Sequence, residues 1–302
     1  MEDLDNLLDD IINEGIDDGF EKRITEKEKL TIKQQKDFEE KHWFFKYRID
    51  VLKKMIKGYI PTSENKNEID ILDIGIGTGT LSKELENYGN VVHIECNENI
   101  INFNPDIECI KGVFPWGLKL PDKKFDVVVL FNLIEYMDNI SWILYITKNL
   151  LKPNGRILIS TLNGKELSKN DKLYEVKRRY SLDDFKKMCK EGNLKIYYST
   201  CFENLSMKDQ LKSSLNKLLA ENEIYLNFIP ENNDEIYKDL KSRELPTLGV
   251  SNKNTSGNQI FLVLKGMTKE EIDEEVKKAS KNNQKAKFID LAIDAIVKLK
   301  KK

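Results

Sequence analysis

Apolar positions along the chain change period more than once. Over the first twenty residues Leu4, Leu7, Leu8 and Ile11 recur at helical spacing among eight acidic side chains and no basic one, which predicts an acidic amphipathic helix. A second helical stretch is expected from about 31 to 58, through "EEKHWFFKYRIDVLKKMI", until Gly58 and Pro61 break it. Short β-rich runs then alternate with helical patterns. Strands are expected at 69–74, 91–95, 107–110, 125–131, 155–161, 194–200 and 259–265. Alternation of this kind is the mark of a parallel sheet wrapped by helices.

Between the last two strands lies an insert whose middle reads as helix, "SMKDQLKSSLNKLLAENEIYLNFI", followed by a second helix in "NNDEIYKDLKSREL". Placed there, it would cover one end of the sheet as a lid. Beyond Lys265 an amphipathic tail lines Phe288, Leu291, Ala292, Ala295 and Leu299 on one face, with seven lysines against two aspartates over 281–302. The expected division is an acidic helical extension at 1–40, a core at 41–201 and 258–266, a helical insert at 202–257 and a basic helical tail at 267–302. The oppositely charged ends are expected either to pack together, within one chain or between two subunits of a homo-oligomer, or to stay solvated independently.

Composition narrows the function. Charged residues make up 33% of the chain but the net charge is only -2, so no broad field gathers nucleic acid or anionic membrane. The apolar runs are about half the ~20 residues a bilayer crossing needs, and the start of the chain lacks a signal-peptide pattern, which together suggest a soluble, cytoplasmic protein. Cys96, Cys109, Cys189 and Cys201 form no C-x-x-C pair, and His42 and His93 are too few for a usual zinc cluster, so reduced thiols in or near the core and no metal are expected.

The chemistry concentrates in "ILDIGIGTGTLSKEL" at 71–85, where Gly75, Gly77 and Gly79 fall at the turn from the first strand into its helix. In open parallel sheets that is where ligands bind, and glycines there let a ligand approach the main chain. A phosphate loop is excluded because no lysine follows Gly79 before Lys83. A dinucleotide fingerprint fits imperfectly, since Thr80 stands where its third glycine belongs, and a tight turn with no ligand is the remaining alternative. Glu95 ends the second strand about twenty residues on, where a carboxylate accepts ribose hydroxyls. Both features point to a nucleoside cofactor.

In the order and spacing of these segments, residues 41–265 resemble the class I S-adenosylmethionine-dependent methyltransferases. "LPDKKFDVVVLFNLIEYMDN" resembles that family's fourth-strand segment and "LLKPNGRILIST" its fifth-strand approach, with Asn154 at one glycine position. The resemblance implies an α/β, Rossmann-like sheet of seven mostly parallel strands with the last antiparallel, and S-adenosyl-L-methionine as cofactor. It further implies that Asp73 stands near the methionine amino group, Gly75, Gly77 and Gly79 against the methionine and ribose, and Glu95 on the ribose. Gly112, Val113 and Asn132 would border the rest of the cofactor, Val113 replacing an acid common near the adenine amine. Where the small-molecule and glycan subgroup carries Leu-Glu-His, this chain has Ile134, Glu135 and Tyr136, so a borrowed histidine base is missing. Tyr136, Glu135 and His42 are the candidates for proton transfer. "HWFFKYR" resembles a run that caps the cofactor side of the cleft, through Trp43, Phe44 and Arg48, while Arg178 and Arg179 are candidates to meet an acidic substrate group. The expected function is methyl transfer to a small molecule or sugar. A peptide or RNA methyltransferase and a non-catalytic cofactor-binding scaffold are the alternatives.

Overall fold

The computed structural model describes residues 30–116, 118–204, 229, 233–249 and 256–281. The helices expected over the acidic start of the chain and in the first part of the insert, and most of the expected basic tail, therefore lie outside the described residues.

All seven expected strands form: β1 (Asp70–Ile74), β2 (Asn90–Glu95), β3 (Cys109–Lys111), β4 (Phe125–Phe131), β5 (Leu151–Leu162), β6 (Leu194–Phe202) and β7 (Gln259–Gly266). They join one sheet in the order β3-β2-β1-β4-β5-β7-β6. From β3 to β5 the pairings are parallel, while β7 runs antiparallel to both neighbours, so the last strand is the reversed one. β5 extends four residues earlier than the apolar run suggests, because Leu151 pairs with Phe125 across a register shift.

Both faces of the sheet are buried, which is why its strands read as unbroken apolar runs. One face packs under the helix Trp43–Tyr59, whose Trp43, Tyr47, Val51 and Met55 follow one another at four-residue spacing over Ile71, Val127, Leu158 and Phe261. On the other face, Ile143 and Leu144 of the helix Ile140–Asn149 and Phe185 of the helix Leu182–Glu191 meet Leu72, Val128 and Ile157.

The single helix expected over 31–58 is two helices, α1 (Ile32–Lys41) and α2 (Trp43–Tyr59), broken at His42. His42 is extended (φ -89, ψ 125), and its Nδ1 accepts from the Phe44 amide at 3.1 Å, so one residue ends α1 and caps α2. The remaining helices follow as α3 (Thr80–Leu85), α4 (Glu98–Phe103), α5 (Ile140–Asn149), α6 (Lys169–Leu173), α7 (Leu182–Glu191), α8 (Asn233–Arg243) and α9 (Lys269–Lys281). α8, the described helix of the insert, lies against α2 through Ile236 and Leu240, and Asn233 Oδ1 accepts from the Trp43 amide at 2.7 Å. Ser181 caps α7 in a reciprocal pair with Asp184. The four cysteines are free thiols, but only Cys189 and Cys201 are buried; Cys109 is half-buried and Cys96 exposed. Among the described residues no helix is long and apolar enough to cross a membrane, and no group of side chains could hold a metal ion.

Candidate active site

β1 ends in Asp73 and Ile74, and the chain then turns through Gly75, Gly77 and Gly79 at φ 85°, 52° and 80°. Left-handed backbone at alternate positions explains the glycines conformationally. They differ in surroundings, however. A side-chain carbon on Gly79 would stand 2.2 Å from Asn104 Oδ1, whereas one on Gly77 would meet nothing within 4 Å. Gly79 is bare because the protein crowds it. Gly77 is bare toward open space.

That space is a cavity of about 280 Å³, near the lower end of small-ligand pockets at roughly 300 Å³. It is bordered by Asp73, Gly75, Gly77 and Thr78 from the first strand and its turn, and by Asn132, Glu135, Tyr136 and Tyr174. Phe44, Phe45 and Phe131 provide aromatic wall. α1 lies across the glycine loop: Glu39 accepts from the hydroxyls of Thr78 and Thr80, and Lys36 also donates to Thr80.

Asp73 is buried. Its Oδ2 accepts from Ser82 Oγ at 2.6 Å and faces His93 Nδ1 at 3.0 Å, which places His93 of β2 as a partner of Asp73. Glu95, also buried, turns its carboxylate to the main chain. Oε1 accepts from the amides of Cys96 and Asn97, both at 2.9 Å, and Oε2 from that of Ile76 at 3.1 Å. A carboxylate has about four acceptor positions, so one remains open at Oε2.

Asn132 stands in the left-handed region at φ 47°, and its Oδ1 accepts from Ser160 Oγ at 3.1 Å. Glu135 sits in a 3-10 turn, buried, with Oε2 accepting from Thr161 Oγ1 at 3.0 Å. Burial pushes its carboxyl up to about 7, against the opposing pull of the Thr161 hydroxyl and the Arg48 guanidinium. Tyr136 is 40% exposed, and its phenol is held above the ordinary range by desolvation and by the nearby Glu135 charge.

Other expected residues take other places. His42 is fully buried at the junction of α1 and α2 and does not border the cavity. Glu95, Gly79, Gly112 and Val113 also lie outside its walls; Gly112 donates its amide to the Glu95 carbonyl, and Val113 is largely exposed. Of the aromatic run, Phe44 and Arg48 reach the cavity while Trp43 is packed in the core. Arg179 is committed within the protein, through Nε to Asp171 at 2.6 Å and Nη2 at 3.1 Å, and Arg178 pairs with Asp184. Neither borders the cavity.

Several contributors carry no sequence signal. Glu39, Asp171 and Tyr174 border the cavity, and Glu203 and Gln259 stand behind it. Arg48 is the only basic side chain along the wall among the described residues.

Residues 44–199, about half of the chain, match the family described as "Methyltransferase domain". The chain is 33% identical over 137 residues to a ubiquinone biosynthesis O-methyltransferase of Pelagibacter ubique, covering 42% of this chain and 57% of the relative. To the protein of that description from Rickettsia conorii it is 32% identical over 109 residues, covering 33% and 37%. It thus spans about half the length, or less, of these curated relatives. Among solved structures, a chain of the Haloferax volcanii complex between the Trm112 methyltransferase activator and a methyltransferase aligns at a TM-score of 0.50 and 14% identity, covering 84% of this chain and 100% of the other. That likeness concerns the fold alone. With a family match over half its length, on a seven-stranded sheet whose β7 is reversed, the chain belongs to the methyltransferase-domain family, among the class I S-adenosylmethionine-dependent enzymes.

Proposed function

We propose that the protein transfers the methyl group of S-adenosylmethionine to a hydroxyl oxygen of a small aromatic acceptor. The observation that carries this reading is that one cavity is lined both by the bared glycine loop and Asp73 and by Asn132, Glu135 and Tyr136. The residues suit the cofactor: the open side of Gly77 lets the ligand lie on the main chain, Asp73 offers a carboxylate to a methionine ammonium, and Glu95 keeps an acceptor position for a ribose hydroxyl. When bound, the sulfonium supplies an already activated methyl group.

The protein's part is then to align the reactants, exclude water and move one proton. Phe44, Phe45, Phe131 and Tyr136 present ring surface suited to a planar acceptor. Glu135 is the proton acceptor, because its carboxyl, raised to about 7, is basic enough near neutral pH and still ionised there in part. Glu135 would take the acceptor's hydroxyl proton, and the bound cofactor would supply the methyl group to that oxygen, its carbon–sulfur bond breaking and the sulfur leaving as the uncharged thioether of S-adenosylhomocysteine. The relatives' description as O-methyltransferases supports oxygen as the nucleophile.

The test has two stages. Calorimetric titration with S-adenosylhomocysteine should give heat and raise the melting temperature; neither response would remove the cofactor reading. Transfer of labelled methyl from S-adenosylmethionine to a panel holding a catechol, an aryl amine, a hexose, a peptide mixture and bulk RNA should mark the catechol. Label confined to the peptide or RNA fractions would remove the small-molecule reading.

A further inference from the structure

The cavity is smaller than the proposed reaction needs. A site for one drug-sized ligand takes roughly 300–1,000 Å³, and methyl transfer brings cofactor and acceptor in together, against a cavity of about 280 Å³. One wall has to give way, and the walls are not equally fixed. α2 buries seven of its residues, among them Trp43, Tyr47 and Leu52. α1, whose Gln35 and Glu39 border the cavity, buries none. Little apolar burial holds α1 in place, which makes it the wall that opens at least cost.

Polar contacts fasten α1 instead. The Glu39 carboxylate accepts from the hydroxyls of Thr78 and Thr80, one on each oxygen, and Lys36 donates to Thr80 beside them. Thr78 lies within the glycine turn and Thr80 opens α3, so one carboxylate ties α1 to the segment against which the cofactor is placed. Ahead of α1, Leu30 is buried and its amide donates to the Tyr174 hydroxyl at 3.1 Å, and Tyr174 borders the cavity as well. The end of α1 at His42 is different. There a single extended residue joins the two helices, and the Phe38 ring lies 5.6 Å from the His42 ring and 6.2 Å from that of Phe45. A junction of one non-helical residue can absorb the φ/ψ change of a hinge, while the aromatic contacts keep the pivot in place.

We propose that α1 is a lid over the glycine loop, hinged at His42 and held shut by the grip of Glu39 on Thr78 and Thr80, which lifts to admit the cofactor and closes to retain it. Lifting α1 costs the two hydroxyl bonds to Glu39 but exposes no fully buried side chain of the helix. What the lid retains rests on the cofactor reading above. Its opening belongs to the free protein and is measured without a ligand.

The experiment is hydrogen exchange read by mass spectrometry on the full-length protein, free and with saturating S-adenosylhomocysteine, beside stopped-flow dissociation of that ligand. In the free protein the amides of α1 should exchange faster than those of α2, and the ligand should slow them. Glu39→Ala should speed α1 exchange by about tenfold or more, as expected when hydrogen bonds to a charged group are lost, and speed ligand dissociation by a similar factor with α2 exchange unchanged. Thr80→Val removes the partner from the other side and should act in the same direction. The two changes together should do less than the product of each, because they cut one contact. Glu40→Ala, which removes an exposed carboxylate one residue on, should alter neither rate. α1 amides as slow as those of α2 in the free protein, or α1 exchange unmoved in the folded Glu39 and Thr80 variants, overturns the proposal. Exchange that answers to Glu39 while dissociation does not would remove the retaining role. No response to S-adenosylhomocysteine of any kind would overturn the cofactor reading, while α1 exchange in the free protein still decides whether the helix lifts.

Discussion

Gly77 separates what the glycine loop does for the fold from what it does for the ligand. Replacing it with alanine places a methyl group on backbone at φ 52°, in a direction where nothing stands within 4 Å. The folded protein alone should therefore lose only the left-handed strain, about 1–2 kcal/mol, which for a chain of this size lowers the melting temperature by roughly 2–8 °C. With the cofactor against the loop, the same methyl intrudes on it. Overpacking costs a further 1–3 kcal/mol or so, a weakening of about 5- to 150-fold in Kd. Calorimetric titration of Gly77→Ala with S-adenosylhomocysteine, beside a thermal melt of the free protein, measures the two effects separately. Gly79→Ala is the control, since its methyl would land 2.2 Å from Asn104 Oδ1 and should cost folding before it costs binding. A Gly77→Ala protein that melts a few degrees early yet binds with unchanged affinity would refute the placement of the cofactor.

Asp171→Asn should weaken the pair between half-buried Arg179 and buried Asp171, which borders the cavity, lowering stability in urea by about 1–3 kcal/mol as a charge-assisted hydrogen-bond pair is lost. Its KM for the acceptor should rise while S-adenosylhomocysteine affinity stays put, since the glycine loop is untouched. The pH dependence of stability should carry the mark of the two buried glutamates. Burial raises Glu135 to about 7 and Glu203 to about 8, so the folded state holds their protons more tightly than the unfolded chain. Their contribution is full below an ordinary carboxyl midpoint of about 4.3 and is lost as pH rises through 7 and 8. Urea unfolding at pH 5.5, 7 and 8.5 should show that decline, and the Glu135→Gln/Glu203→Gln double variant should flatten it. An equal slope in the double variant would contradict the assignment.

Elements whose burial is set locally were legible in advance. β4 forms over Phe125–Phe131 as its unbroken apolar run indicates, and the Ser181 cap is where a serine ahead of two aspartates belongs. The break at His42 was not legible, because nothing in "EEKHWFFKYR" disfavours helix. It exists because α1 turns to lie across Thr78 and Thr80 while α2 goes under the sheet. Sequence spacing likewise brought Glu95 to the end of β2, but could not show that three main-chain amides claim most of its carboxylate.

By itself the sequence determined the seven strands, the turn at Gly75–Gly79 and the acids at the ends of β1 and β2, since apolar period and backbone freedom are properties of neighbours along the chain. Which side chains share a cavity was decided only by the tertiary structure. Arg48, Glu135 and Glu203 come from three separated segments, and their charges matter to one another only once burial has removed the water between them.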